Sequence, residues 1–245
     1  MELNTYPLVC TRGVVLYPNQ EIVIDVGRDT SVHAVENAQD NYDKKICLFS
    51  QKELEQEHPG VEDIYSVGTL CEVRHIRRFD NFLRVKFRGI KRVKLNKWTH
   101  GSLSDLVEVE ILESEKQDTV EEEALIRMIA DELDRMQGQD RFVTKEIVME
   151  ISKGMGGEFL SDKAVQGLPL DLERKQKYLE TLGVNDRLMM LLQDMAKEKK
   201  MSEVEKQINE TVKERIDQGQ KDYYLREKMN VIREELGDTV AQDED

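Results

Sequence analysis

Ser161-Asp162-Lys163 is where this chain of 245 residues comes nearest to a serine–lysine dyad, and Gly154-Met155-Gly156-Gly157 is its nearest approach to a phosphate-cradling loop. Neither completes the chemistry. The glycine cluster has no Lys-Ser/Thr after it and no strand pattern before it, so it lacks the cation and hydroxyl such a loop supplies and reads as a connection. A serine followed by aspartate ahead of a helical pattern reads as an N-cap, its oxygen answering an amide that the first turn leaves unpaired. The histidines, His33, His58, His75 and His100, have neither the i,i+4 spacing of a helical zinc pair nor a Cys-x-x-Cys companion. Cys10, Cys47 and Cys71 are odd in number, widely spaced and set among strand-like residues, which predicts reduced, buried thiols. Glu121-Glu122-Glu123 and Asp243-Glu244-Asp245 read as a solvated first turn and a tail. The residues therefore predict no catalytic, cofactor-binding or metal-binding group in this chain.

Binding chemistry is better represented. Phe79 and Phe82 flank the turn Asp80-Asn81, and Tyr17-Pro18 end an apolar run, so both places are expected to offer aromatic surface at a loop tip. A second cluster is cationic. Arg74, Arg77, Arg78, Arg84, Lys86, Arg88, Lys91, Arg92, Lys94 and Lys97 are accompanied between positions 74 and 97 by one acid, Asp80. With Phe79 and Phe82 as stacking groups, the face Arg77, Arg78, Arg84, Lys86 and Arg88 could take nucleic acid. The reading preferred here is the charged outer face of a two-stranded ribbon, protected by charge from edge-to-edge pairing.

The elements that position these groups follow from hydrophobic period. Residues 1–117 read as a β-rich domain. Val14-Val15-Leu16 and Ile22/Ile24/Val26 suit strands separated by Tyr17-Pro18-Asn19, and a helix is expected from Thr30 or Ser31 to Ala38. Strands follow at Ile46–Phe49, Gly68–Ile76, Asn81–Leu95 and Leu106–Leu112, with Leu83, Val85 and Phe87 alternating against Arg84, Lys86 and Arg88. At Asp118 the period changes from two to 3.6, which places a helical bundle over 118–200. Asp118 caps its first helix, shorter helices lie near 142–152, 161–166 and 171–181, and the run Leu188-Met189-Met190-Leu191-Leu192 forms its heart.

Residues 201–245 read as a separate long helix of roughly 50 Å, opened by a capping box of Ser202 and Glu205 and stopped at Gly237. Steps of three and four from Met201 give Val204, Ile208, Thr211, Arg215, Gln218, Asp222, Leu225, Met229, Ile232 and Leu236, a seam apolar at both ends and polar in the middle. Leu225, Met229, Ile232 and Leu236 are the expected seat for a partner.

Composition bounds the rest. A hydrophobic fraction of 39% supports real cores, and a net charge of −14, with the acid excess in the C-terminal half, argues against nucleic-acid binding by the whole molecule. No stretch approaches the ~20 apolar residues of a membrane span, and the start lacks the layout of a signal peptide, so a cytoplasmic protein without a membrane partner is expected.

Three segments converge on one family. Tyr6-Pro7-Leu8, Thr11-Arg12-Gly13-Val14-Val15-Leu16-Tyr17-Pro18, Asp25-Val26-Gly27-Arg28, Ser31 with Ala34-Val35, and Tyr65-Ser66-Val67-Gly68-Thr69 resemble the N-terminal domain of bacterial Lon, the ATP-dependent serine proteases. Leu168-Pro169-Leu170, Lys175-Gln176, Leu179-Glu180 and Asp186-Arg187-Leu188 extend the resemblance, and Gln220-Lys221-Asp222-Tyr223-Tyr224-Leu225-Arg226-Glu227-Lys228-Met229 is similar to the helix that precedes the family's ATPase module. Cys10-Thr11 departs from the family's usual Pro-Leu, and Phe79-Asp80-Asn81-Phe82 from its usual turn. The resemblance implies an α+β chain: a PUA-like pseudo-barrel, a helical bundle and a long C-terminal helix. It implies a non-catalytic region that recognises unfolded or damaged protein. The family's P-loop and Ser-Lys dyad lie beyond residue 245, so no cofactor is assigned to this chain. ATP and magnesium, the serine endopeptidase activity and a homo-hexamer belong by implication to the full-length protein.

Overall fold

A computed structural model describes residues 4–101, 104–136 and 145–235. Six strands, β1 (Asn4–Thr11), β2 (Glu21–Val26), β3 (Lys45–Ser50), β4 (Val67–Arg78), β5 (Leu83–Thr99) and β6 (Leu106–Leu112), form one sheet in the order β2-β5-β4-β3-β1-β6. Because β6 pairs with both β1 and β5, the sheet closes on itself, with β2 attached to the first half of β5. The β1–β3 pairing is parallel and the others antiparallel. Register shifts in β4 and β5 supply the bends that closure demands.

Alternation along the strands gives two apolar faces. Val9, Ile46, Leu48, Val73, Val85 and Phe87 pack with Ala34, Val35 and Ala38 of helix α1 (Asp29–Asn41). Leu8, Cys47, Phe49, Leu70, Val93, Val107 and Val109 form the other core. The cysteines are free, and burial pushes the Cys10 thiol up to about 12 and those of Cys47 and Cys71 higher still.

Val14–Leu16 does not form the expected strand. Side-chain hydroxyls take the place of a ladder: Thr11 and Ser50 donate to the Val14 carbonyl at 2.7 Å each, and Thr69 donates to that of Leu16. The segment then crosses β5 where its pairing passes from β2 to β6, at Gly89. A Cβ there would lie 2.1 Å from the Tyr17 carbonyl oxygen, so glycine is required.

The helices are α2 (Thr119–Met136), α3 (Lys145–Ser152), α4 (Gly157–Gly167), α5 (Leu172–Glu180) and α6 (Val184–Glu235). Asp118 caps α2 through the Val120 and Glu121 amides, but Glu121 reaches Asn185. Asp171 caps α5. Ser161 is not an N-cap; α4 begins at Gly157, which leaves Ser161 and Asp162 inside the helix and buried. Of the 188–192 run, Leu188 and Leu191 are fully buried while Met189 is exposed, so the run is one-sided.

Contacts divide the chain into two units, Met1–Gln193 and Asp194–Asp245. The period change at 118 thus marks a change of secondary structure within one unit. In the second unit the helix passes through Met201–Glu205 unbroken, and Ser202 opens nothing. Leu236 and Gly237 lie outside the described residues.

Candidate functional site

The long ribbon of β4 and β5 carries the expected binding residues to its tip. Phe79 and Phe82 are half-buried and stack on each other, centroids 4.7 Å apart and planes 12° from parallel, with the Phe79 amide donating to the Phe82 carbonyl. Arg77 and Arg84 stand 5.3 and 5.4 Å from the Phe79 centroid, and Arg84 is 5.7 Å from that of Phe82. The tip is a small aromatic plate edged by guanidinium groups. The two phenylalanines satisfy part of their need for burial with each other.

Tyr17 and Pro18 are buried, which corrects the expectation of a second aromatic tip. The Tyr17 hydroxyl donates to the Lys175 carbonyl of α5 at 2.7 Å, so the ring is part of the joint between barrel and bundle. Gln176 donates to the Val67 carbonyl in the same joint. Its centre is charged. Arg92 of β5 forks onto Asp162 of α4 at 3.0 and 2.5 Å and donates to the Leu179 carbonyl, while Arg187 donates to Ser161, Ser114 and the Thr181 carbonyl. Burial raises the Asp162 pKa, opposed by Arg92 and Arg187; burial and then the charge of Arg92 bring Arg187 down to about 10.

The cationic face is largely matched. Arg84 forks onto Asp25 at 2.7 and 2.8 Å, Lys86 meets Glu21 at 2.6 Å, and Arg78 meets Glu36 at 2.5 Å. Arg74 pairs with Glu72, Lys91 with Glu113, and Lys97 with Glu108. These carboxylates come from β2, α1, β4, β6 and the chain just after β6. The hydrogen bonds from Arg84 and Lys86 hold Asp25 and Glu21 below the usual carboxylate range. Arg77 lies over Phe79, and Arg88 has no ion-pair partner among the described residues.

In the second unit, Leu225, Met229 and Ile232 are exposed. The apolar end expected at Met201, Val204 and Ile208 runs on as a longer stripe than was foreseen. Met201, Val204, Ile208, Val212, Ile216 and Tyr223 are all about half exposed or more and fall within one arc of a helix turning about 100° per residue. A seam counted strictly in alternating threes and fours passes from Ile208 to Thr211 and Arg215 and so misses Val212 and Ile216. Spacing by four through 204, 208, 212 and 216 would have found it. Among the described residues no helix is long and apolar enough to cross a membrane.

The architecture has known counterparts. It resembles the N-terminal domain of Mycobacterium avium complex Lon protease, with a TM-score of 0.62 at 20% identity over 79% of this chain and 98% of that one. It also resembles a Lon N-terminal domain protein from Xanthomonas campestris, with a TM-score of 0.55 at 16% identity over 77% and 97%. The fold is that of Lon N-terminal domains.

Sequence gives the family. Residues 5–197 match the domain described as the ATP-dependent protease La (LON) substrate-binding domain. The chain is 34% identical over 233 residues to Lon protease of Brevibacillus choshinensis, and 32% identical over 233 residues to that of Escherichia coli (strain K12), covering 95% of this chain in each case. It belongs to the Lon protease family. It spans 30% of the length of these relatives.

Proposed function

We propose that this region captures unfolded or damaged protein for an ATP-dependent serine protease, and that it performs no catalysis itself. The observation that carries the reading is the pair Phe79 and Phe82, placed at a ribbon tip and still partly open to solvent. An aromatic plate at the end of a stiff ribbon accepts exposed core side chains of a client without demanding a sequence. The guanidinium groups beside it keep the plate from self-association. The family match to a substrate-binding domain supports the same reading.

In the full-length protein the ATPase and protease domains would supply ATP, magnesium and the catalytic dyad, in a cytoplasmic homo-hexamer. The exposed seam of Leu225, Met229 and Ile232 would meet the ATPase module or a neighbouring subunit. Nucleic acid is not offered as a second ligand, because most of the ribbon's cations already face carboxylates within 4.0 Å.

The test is fluorescence anisotropy of a labelled, permanently unfolded protein titrated with this chain, at low and high salt and with competing duplex DNA. Binding that survives salt and DNA is expected, and Phe79→Ser with Phe82→Ser should weaken it while the melting temperature barely moves. Binding lost to salt or DNA would transfer the function to the cations. A large loss of stability in the double variant would show that the pair is core.

A further inference from the structure

Arg12 and Arg28, unlike most cations of the β4–β5 ribbon, converge on each other and not on a carboxylate. Both sit in segments that carry the family resemblance, yet neither has a carboxylate within 4.0 Å among the described residues. The two guanidinium groups instead converge on one carbonyl, that of Gln56, at 3.4 Å from Arg12 and 2.9 Å from Arg28. Arg28 also donates to Gln51 Oε1 at 2.7 Å, which fixes its head. Burial and then the like charge of Arg12 lower the pKa of Arg28, with Cys10 and Glu57 opposing.

These arginines border a recess of about 310 Å³ between β1 and β2, floored by the start of α1. Arg28 is the residue before the first turn of α1 and its side chain makes no capping bond, so the helix presents uncapped amides there. Ser31 lies in that first turn, 7% exposed, and lines the recess, yet its hydroxyl has no partner among the described residues. That hydroxyl is not sealed in the protein and is reachable from the recess. Asp25 also borders the recess, but both of its oxygens are held by Arg84. The adjoining recess contains Glu57 and Asp105, which sets the anionic ligand on the β1–β2 side.

We propose that Arg12, Arg28, Ser31 and the first amides of α1 bind a small oxyanion, either the terminal carboxylate of an extended peptide or a free phosphate. The strands favour the peptide. Beyond Leu8, whose amide donates to the Asp105 carbonyl, β1 pairs only with β3, and beyond Glu21, whose carbonyl accepts from Gln166, β2 pairs only with β5, so among the described residues Val9–Thr11 and Ile22–Val26 each keep one strand edge unpaired, along which a strand can be added. In its peptide form the proposal rests on the client-capturing reading. In its phosphate form it stands alone.

The test is an NMR titration of the 245-residue chain, following the Thr30 and Ser31 amides. The probes are an N-acetylated apolar hexapeptide with a free C-terminal carboxylate, the same peptide as its C-terminal amide, and inorganic phosphate. Saturable shifts with the free acid, weakened by salt and absent with the amide, are expected. Ser31→Ala should leave the melting temperature unchanged or higher, since that hydroxyl bonds nothing in the fold, yet weaken binding about tenfold. Arg12→Gln should weaken it similarly. Shifts with phosphate alone, reduced by both substitutions, would assign the site to free phosphate. No shift with any probe, equal shifts with acid and amide, or binding indifferent to both substitutions would overturn the site. Capture of an unfolded protein that persists in that event would leave the client reading standing.

Discussion

Arg84 and Arg92 lie on the same strand and each forks onto an aspartate, Arg84 side-on through Nε and Arg92 end-on through its two terminal nitrogens, but one fork is wet and the other dry. The side chains of Arg84 and Asp25 are 47% and 49% exposed; those of Arg92 and Asp162 are 1% and 2% exposed. Exposure reverses the sign of the aspartate's response. Hydrogen bonding by Arg84 lowers the Asp25 pKa, whereas burial raises that of Asp162 despite two arginines beside it. Forming an ion pair in a dry joint is thus a poor way to gain stability, and losing half of one is worse. The buried pair joins barrel to bundle, Arg92 of β5 bonding Asp162 of α4 and the Leu179 carbonyl of α5. The exposed pair orients a guanidinium beside the aromatic plate.

The largest expected effect comes from removing Asp162. Asp162→Ala leaves two buried guanidinium groups without their carboxylate and should cost about 3–5 kcal/mol in denaturant unfolding. Replacing both partners, Arg92→Met with Asp162→Leu, leaves only Arg187 without its carboxylate and should recover part of that loss; an additive loss would make the pair a net stabiliser. Next is Gly89→Ala, whose new methyl meets the Tyr17 backbone and should cost about 1–3 kcal/mol. Tyr17→Phe removes one hydrogen bond of the joint and should cost about 1 kcal/mol; a neutral result would mean that ring packing alone holds Tyr17. The smallest effect is Arg84→Gln, which should lower the unfolding midpoint only slightly, since the pair is exposed.

The exposed fork is sharpened better by titration. A depressed carboxyl pKa in the folded chain gives a contribution that is present above the unfolded value and lost as pH falls through the folded one. Carboxyl-detected NMR should therefore find Asp25 titrating below the usual aspartate range, and back within it in Arg84→Gln. Asp162 has the opposite sign: its contribution grows as pH falls through its raised folded value. An Asp162 that titrates below the usual range would erase the contrast.

Where a residue's partners are near in sequence or repeat along an element, the sequence was readable. Alternation located five of the six strands, the spacing of Ala34, Val35 and Ala38 located the buried side of α1, and Asp118 announced its own helix. The aromatic pair at the ribbon tip was also legible, although not its stacking. The failures have distant partners. Tyr17-Pro18-Asn19 has the composition of an exposed turn, and nothing local reveals a hydroxyl bonded 158 residues onward. Ser161-Asp162 looks like a cap until Arg92, 70 residues earlier, claims the carboxylate. Arg12, Arg28 and Ser31 were visible only as a family pattern, because their convergence depends on the loop that carries Gln56.

The parallel β1–β3 pair has a bearing on how the chain is made. β1 is synthesised first, but its place is between β3 and β6, and β6 ends at Leu112. At an elongation rate of about 5–20 residues per second, β1 waits on the order of 5–20 s for β6, the later of its two neighbours. During that interval Leu8, which is buried in the core of the finished barrel, and Tyr6, which packs against that core, are open to the cell. On the proposed reading, a domain that captures exposed apolar segments passes through a stage at which it offers such segments itself.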